Sequence, residues 1–298
     1  MDESISDEVR RLEIPGRITA AKGKGGLVKL DINTDWSTAE IYLHGAHLSA
    51  FQKNGDAPLL FTSQASRYEF GIPIRGGVPI IFPWFGARER KAAHGFARTS
   101  PWKLHETSAV PSGGVSARFH LADSPERAEW PIFSAVYVVT VTDRLLLDLL
   151  ITNQSDRDLV FENCLHTYFQ IGDVATVSVK GLKGVEYLDK TENFARKMDL
   201  DERILIQSEV DRTYIGTQDS VEIHDTTMKR TIIVEKHGSL STVVWNPWID
   251  KAKAMADFGD DEYKTMVCVE SGNVAENKIT LKPGRTQVLE VMVNSVGF

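Results

Sequence analysis

The stretch FSAVYVVTVTDRLLLDLLITNQS, Phe133 to Ser155, decides the fold class. Two runs of β-branched, aromatic and aliphatic residues, each of strand length, flank the short polar break Thr142, Asp143 and Arg144. That layout predicts an antiparallel hairpin over Ser134 to Asn153. Working outward, the same kind of run recurs on both sides. GLVKLDINTD, AEIYLHGAHLSAF and VSARFHLAD precede it; ATVSVKGL, RILIQSEV, SVEIHD, RTIIVEKHG, STVVWNPW, TMVCVES, NKITL and TQVLEVMVN follow. From Leu27 onward this makes about a dozen strands separated by turn residues. WIDKAKAMADFGDD is the best short helix, stopped by Gly259. No composition break and no fixed-period repeat divides the chain, so residues 1–298 read as one domain with 1–25 as a lead-in. The class is all-β, one large antiparallel sandwich with few short helices. A closed barrel with a second small domain is the competing architecture.

Composition narrows the function. The chain has 298 residues, 42% of them hydrophobic and 25% charged, and 34 basic against 41 acidic side chains leave a net charge of −7. No Lys/Arg block interrupts that mixture, so neither a nucleic-acid partner nor an anionic membrane surface is expected. The acidic start MDESISDEVRRLEIPG lacks the basic-then-apolar layout of a signal peptide, and no apolar run reaches the length of a membrane span. A cytoplasmic protein acting as a monomer is expected. Cys164 and Cys268 sit in strand-like runs away from any paired-Cys motif, which reads as buried, reduced thiols with no assigned role.

Several residues are open to both a bland and a chemical reading. His166, inside FENCLHTYFQIGD, is either core filler or a proton-transfer group. Glu270, in TMVCVESGNV, is either a solvated strand end or a positioned base. GIPIRGGVPIIFPWFGARERKAAHGFAR, Gly71 to Arg98, is too rich in proline and glycine for a regular central strand and reads as a long shaped loop. On it, Arg75 and Arg98 are either surface cations or a pair converging on one anion. His94 offers a donor or acceptor there, and Trp84 and Phe85 offer flat faces suited to a sugar or to the core. His44 and His47 are close in sequence, but strand alternation sets them on opposite faces with no further ligand, so no metal is expected. No phosphate-cradling glycine loop, dinucleotide fingerprint or nucleophile elbow is present.

Taken in order, PIRGGVPIIFPWFG, HGFAR, LHTYF, EVDRTY, VVWNPW and CVESGNV resemble the aldose 1-epimerase superfamily, with the nearest likeness to its hexose-6-phosphate mutarotase (glucose-6-phosphate 1-epimerase) branch. The resemblance implies a galactose-mutarotase-like β-supersandwich, no metal or other cofactor, and interconversion of the anomers of a phosphorylated aldohexose. It places the general acid on His166 and the general base on Glu270. It places phosphate contacts on Arg75 and Arg98, a sugar-hydroxyl contact on Asp211, and a further sugar-side histidine on His94. Ala93 stands where some members carry a substrate-contacting glutamine. The chemistry asks for an acid and a base whose environments differ: a neighbour that keeps the histidine protonated and surroundings that keep Glu270 ionised. A non-catalytic sugar-binding sandwich and a mutarotase for unphosphorylated aldoses are the alternatives.

Overall fold

Phe133–Val141 pairs antiparallel with Leu145–Asn153, from Phe133↔Asn153 to Val141↔Leu145. Buried and half-buried residues alternate along both strands, as expected where one face meets the core. Thr142 N–H donates to Arg144 O at 2.9 Å, and Arg144 N–H donates to Thr142 Oγ1 at 3.0 Å, which closes the turn. The computed structural model describes residues 5–298. Among these, the hairpin lies in a nine-stranded sheet whose order is Ile204–Leu205, Val177–Lys180, Val221–Asp225, Arg230–His237, Thr286–Gly297, Leu145–Asn153, Phe133–Val141, Val115–Leu121 and Trp102–Ala109. Among the described residues only two short α-helices occur, α1 (Asp7–Arg10) and α2 (Trp248–Ala254).

A second sheet carries the candidate site. Its strands are β1 (Ile80–Ile81), β2 (Asn163–Leu165), β3 (Tyr168–Gln170), β4 (Glu186–Asp189), β5 (Ala195–Met198), β6 (Val210–Ile215), β7 (Ser241–Asn246) and β8 (Met266–Asn273). The order across it is β5-β4-β6-β7-β8-β2-β1, and β3 also pairs with β8. A third sheet joins Ile18–Lys22, Val28–Asn33, Ser37–Tyr42 and His47–Lys53. Side chains of all three sheets merge in one apolar core. A pin of polar contacts also crosses between the two large sheets. Lys236 of the nine-stranded sheet is buried and donates from Nζ to Thr217 Oγ1 at 2.7 Å, Ser241 O at 2.8 Å and Thr242 Oγ1 at 2.8 Å.

Three details differ from the sequence reading. The strands begin before Leu27, because Ile18–Lys22 pairs with Val28–Asn33; its short apolar alternation is too weak a signal to read alone. The rest of the expected lead-in includes α1, while residues 1–4 lie outside the described residues. The helix expected as far as Gly259 ends at Ala254. Met255 turns extended, Phe258 is buried against Phe61 at 5.7 Å, and Asp257 turns to Arg75. The Gly71–Arg98 segment is a shaped loop that runs through the interior: Val78, Ile80, Ile81 and Phe82 are fully buried. Gly76 and Gly77 make that path possible. Both have positive φ, and a Cβ would stand 2.4 Å from Thr62 Cα at Gly76 and 2.2 Å from Leu48 O at Gly77.

Candidate active site

Register on β8 sets the centre of the site. Alternate residues of a strand face the same way, so Cys268 and Glu270 share one face. β2 pairs Leu165 with Ser271 and β3 pairs Tyr168 with Cys268, both antiparallel to β8. The two strands keep one register, and in it the residue opposite Glu270 is His166. The ladder is interrupted there: His166 N–H donates instead to Pro79 O at 3.1 Å, and Thr167 N–H donates to Leu165 O. The two side chains meet, with His166 Nε2 3.1 Å from Glu270 Oε1 and both residues buried. Tyr168 stacks on the imidazole at 4.8 Å between ring centres, and Trp245 packs its edge against both rings.

Burial governs this pair. It pushes Glu270 well above the usual carboxylate range, with the charge of Asp211 adding to it. Burial also pulls His166 well below the usual imidazole range, helped by His94, Arg98 and Arg75. Burial thus works against charge on both members of the pair. The imidazolium expected beside an ionised carboxylate is opposed by burial and by the two guanidinium charges, while Glu270 lies 3.1 Å from its ring. Cys164 Sγ–H lies 3.5 Å from Glu270 Oε2 and donates to it; burial pushes this thiol up, so it stays protonated. Cys164 thus helps to orient Glu270, which corrects the reading that gave the cysteines no part.

The Gly71–Arg98 loop brings the cations. Arg75 donates to Asp257 Oδ2 from Nε at 3.2 Å and from Nη2 at 3.0 Å, and to Tyr168 Oη from Nη1 at 3.1 Å. Burial opposes its charge, but Tyr168 and Asp257 outweigh that and hold it above the ordinary arginine value. Arg98 donates to Ala93 O at 3.0 Å, and its buried Nε has no hydrogen-bond partner among the described residues. Burial and the charge of Arg75 pull Arg98 down to about 10, so the two guanidinium groups lie within each other's field. His94 has positive φ; Gly86 N–H donates to its Nδ1 at 3.3 Å, and its own N–H donates to Gly86 O at 2.8 Å. Burial, followed by Arg98, Lys190 and Arg75, takes His94 down to about 2. A neutral ring accepting at Nδ1 carries its proton on Nε2, so His94 is a hydrogen-bond donor. Its ring centre is 5.7 Å from that of His166.

Across the sheet, Asp211 lies opposite Trp245, and Trp245 lies opposite Cys268, which puts the aspartate in the same row as Tyr168. Asp211 is buried, with Lys190 Nζ at 3.0 Å and Lys251 Nζ at 3.6 Å from Oδ2. All six residues singled out from sequence are thus present in one neighbourhood: His166 and Glu270 in direct contact, the others around them.

Residues 28–292 match the family model described as aldose 1-epimerase. The chain belongs to the aldose 1-epimerase family. Two relatives carry the provisional name glucose-6-phosphate 1-epimerase. The one from Cenchrus ciliaris is 37% identical over 83% of this chain and 78% of its own length. The one from Escherichia coli K12 is 36% identical over 82% of each. The crystal structure of YeaD from Salmonella typhimurium, provisionally described as a mutarotase, superposes with a TM-score of 0.88 at 29% identity, covering 98% of this chain and 99% of that one. The fold is galactose-mutarotase-like.

Besides Cys164, three residues of this candidate site were given no role by sequence reasoning. Lys190, on the turn after β4, looked like an ordinary surface lysine in DKTENF; its charge reaches Glu270 and His94. Asp257 lay inside an expected helix. Tyr168 was part of the LHTYF motif but could be read as core. Trp84 and Phe85 resolve differently. Trp84 is core and stacks on Trp130 at 6.1 Å, while Phe85 sets its edge against His94 at 4.8 Å. His44 Nε2 contacts Ile72 O at 2.8 Å, and His47 is buried. Among the described residues, the donor atoms spaced closely enough to share a cation are those of His166, Cys268 and Glu270, within 4.8 Å of one another. The contact between His166 and Glu270 already accounts for two of the three.

Proposed function

We propose that this protein interconverts the α and β anomers of an aldohexose 6-phosphate, with His166 as acid, Glu270 as base and the phosphate on Arg75 and Arg98. The observation that carries the reading is the buried His166–Glu270 contact of 3.1 Å lying in the field of two arginines. The hydroxyl and the ring oxygen of a cyclic hemiacetal are bonded to the same carbon. An acid and a base serving both oxygens must therefore stand close to each other. Glu270 takes the proton of the anomeric hydroxyl, the bond from C1 to the ring oxygen breaks, and His166 delivers a proton to that oxygen. C1 becomes an aldehyde, which turns about its bond to C2 and recloses by the reverse transfers on its other face. Proton count and oxidation state are unchanged. Acid and base each contribute typically ~10²–10⁴-fold to such a step. His94 Nε2–H suits a sugar oxygen as donor, and Asp211 suits a sugar hydroxyl as acceptor.

The names of the relatives support the sugar phosphate as substrate. An anion is also the natural partner of two cations that repel each other. A doubly charged sugar phosphate does not cross membranes, which supports a cytoplasmic setting; no helix of the described residues is long and apolar enough to span one. The test is NMR exchange between anomers of glucose 6-phosphate and of glucose. Faster exchange of the phosphorylated sugar is expected. Equal efficiency on both would leave a mutarotase for plain aldoses, and binding without exchange would leave a sugar-binding module.

A further inference from the structure

We propose that the 6-phosphate activates proton transfer as well as anchoring the substrate: seated on Arg75 and Arg98, it acts on His166 through the Arg75–Tyr168–His166 contact chain and by neutralising the two guanidinium charges. This rests on the sugar-phosphate reading above and deepens it. Arg75 is not a free arm. Asp257 holds it along one edge through Nε and Nη2, and Nη1 donates to Tyr168 Oη at 3.1 Å. The Tyr168 ring lies nearly parallel to the imidazole, 16° between planes and 4.8 Å between centres, with Trp245 closing the edge. Tyr168 is buried, and burial pushes its phenol up to about 12, so it stays neutral as it accepts from Arg75. A ligand drawing on the guanidinium thus acts on the residue that seats the acid.

Charge acts in the same direction. The guanidinium charges of Arg98 and Arg75 lower the proton affinity of the imidazole. A phosphate carrying close to two negative charges opposes both arginines at once, and so favours the imidazolium that delivers a proton to the ring oxygen. An interaction with a remote, non-reacting part of a substrate that favours the reactive arrangement raises kcat and not merely affinity. Tyr168 is accordingly a positioning residue.

The experiment separates the handle from the activator. Anomer exchange is measured for glucose 6-phosphate, for glucose, and for glucose with inorganic phosphite as a detached stand-in for the phosphate. We expect kcat at least tenfold higher for glucose 6-phosphate than for glucose, and a saturable rise of tenfold or more in glucose exchange on adding phosphite. A phosphorylated-sugar advantage confined to KM, with phosphite without effect or inhibitory, overturns activation and leaves the substrate assignment standing. Equal kcat/KM on the two sugars overturns the assignment itself. Tyr168→Phe keeps the ring on His166 and removes the oxygen that accepts from Arg75; phosphite activation should shrink severalfold as a kcat effect. Unchanged activation in that variant overturns the role of Tyr168. The wild-type phosphite measurement decides the main point even where the variant fails to fold.

Discussion

The acid–base pair and the anion clamp are built in opposite ways. His166 and Glu270 are set by strand register, one residue opposite the other across β8, with a tyrosine, a tryptophan and a cysteine packed around them. Arg75, His94 and Arg98 hang on a loop whose shape depends on glycines, on hydrogen bonds within the loop, and on Asp257 from just past α2. The contrast teaches where each kind of demand is met. Proton transfer tolerates little error in distance, so it rests on the sheet; recognition of one substituent rests on a segment that can differ without disturbing that sheet.

The largest break in this comparison comes from the sheet side. Glu270→Gln and His166→Asn should each lower exchange by ~10²–10⁴-fold on phosphorylated and plain sugar alike, with sugar-phosphate binding retained. Near-wild-type exchange in either folded variant removes that residue from the chemistry. The loop side should behave otherwise. Arg75→Lys and Arg98→Lys each lose planar, charge-assisted bonds of roughly 1.5–3 kcal/mol, or about ten- to a hundredfold. That loss should fall on glucose 6-phosphate far more than on glucose; equal losses on both sugars sink the clamp.

Lys190 sharpens the comparison at a finer scale, since its charge reaches Glu270 from outside both regions. It favours the ionised carboxylate, so Lys190→Met should raise the proton affinity of Glu270. A base must be deprotonated to act, and the acid limb of the kcat/KM profile should move to higher pH, with a severalfold loss near that limb. A limb that stays in place shows that the lysine does not influence the base.

A separate expected effect, on stability and not on rate, concerns the sheet itself. Burial pulls Lys236 down to about 7, against its ordinary 10.5, while three oxygens accept from the ammonium. Between those pH values the unfolded chain holds the proton more firmly than the native one, so stability rises with pH through that window. Relative to Lys236→Met, the wild type should gain up to a few kcal/mol from about pH 7 to 10, read by denaturant unfolding. A pH-independent difference means the group does not titrate there.

Much of the site was legible because its residues sit in short motifs, but their relations were not. Asp257 and Lys190 carry no local signal, since one lies past a short helix and the other on a turn, and only the chain path brings each to the pocket. Cys164 read as inert because nothing near it in sequence shows that Glu270 lies across the strand pair. The extent of α2 was misread for a related reason: a local pattern suits a longer helix, but burial of Phe258 and the reach of Asp257 end it early.

The sequence by itself determined the antiparallel all-β class, because alternation with period two is a local property that survives whatever the strands later meet. It also determined the kinds of chemistry available: one imidazole and one carboxylate in strand runs, and two guanidinium groups on a glycine- and proline-rich loop. Only the tertiary structure decided that His166 stands opposite Glu270, that Tyr168 joins Arg75 to the imidazole, and that burial pushes acid and base toward neutrality. These depend on register, on distance through space and on exclusion of water, which are set by residues far apart in the chain, 93 positions for Arg75 and Tyr168 and 106 for Cys164 and Glu270.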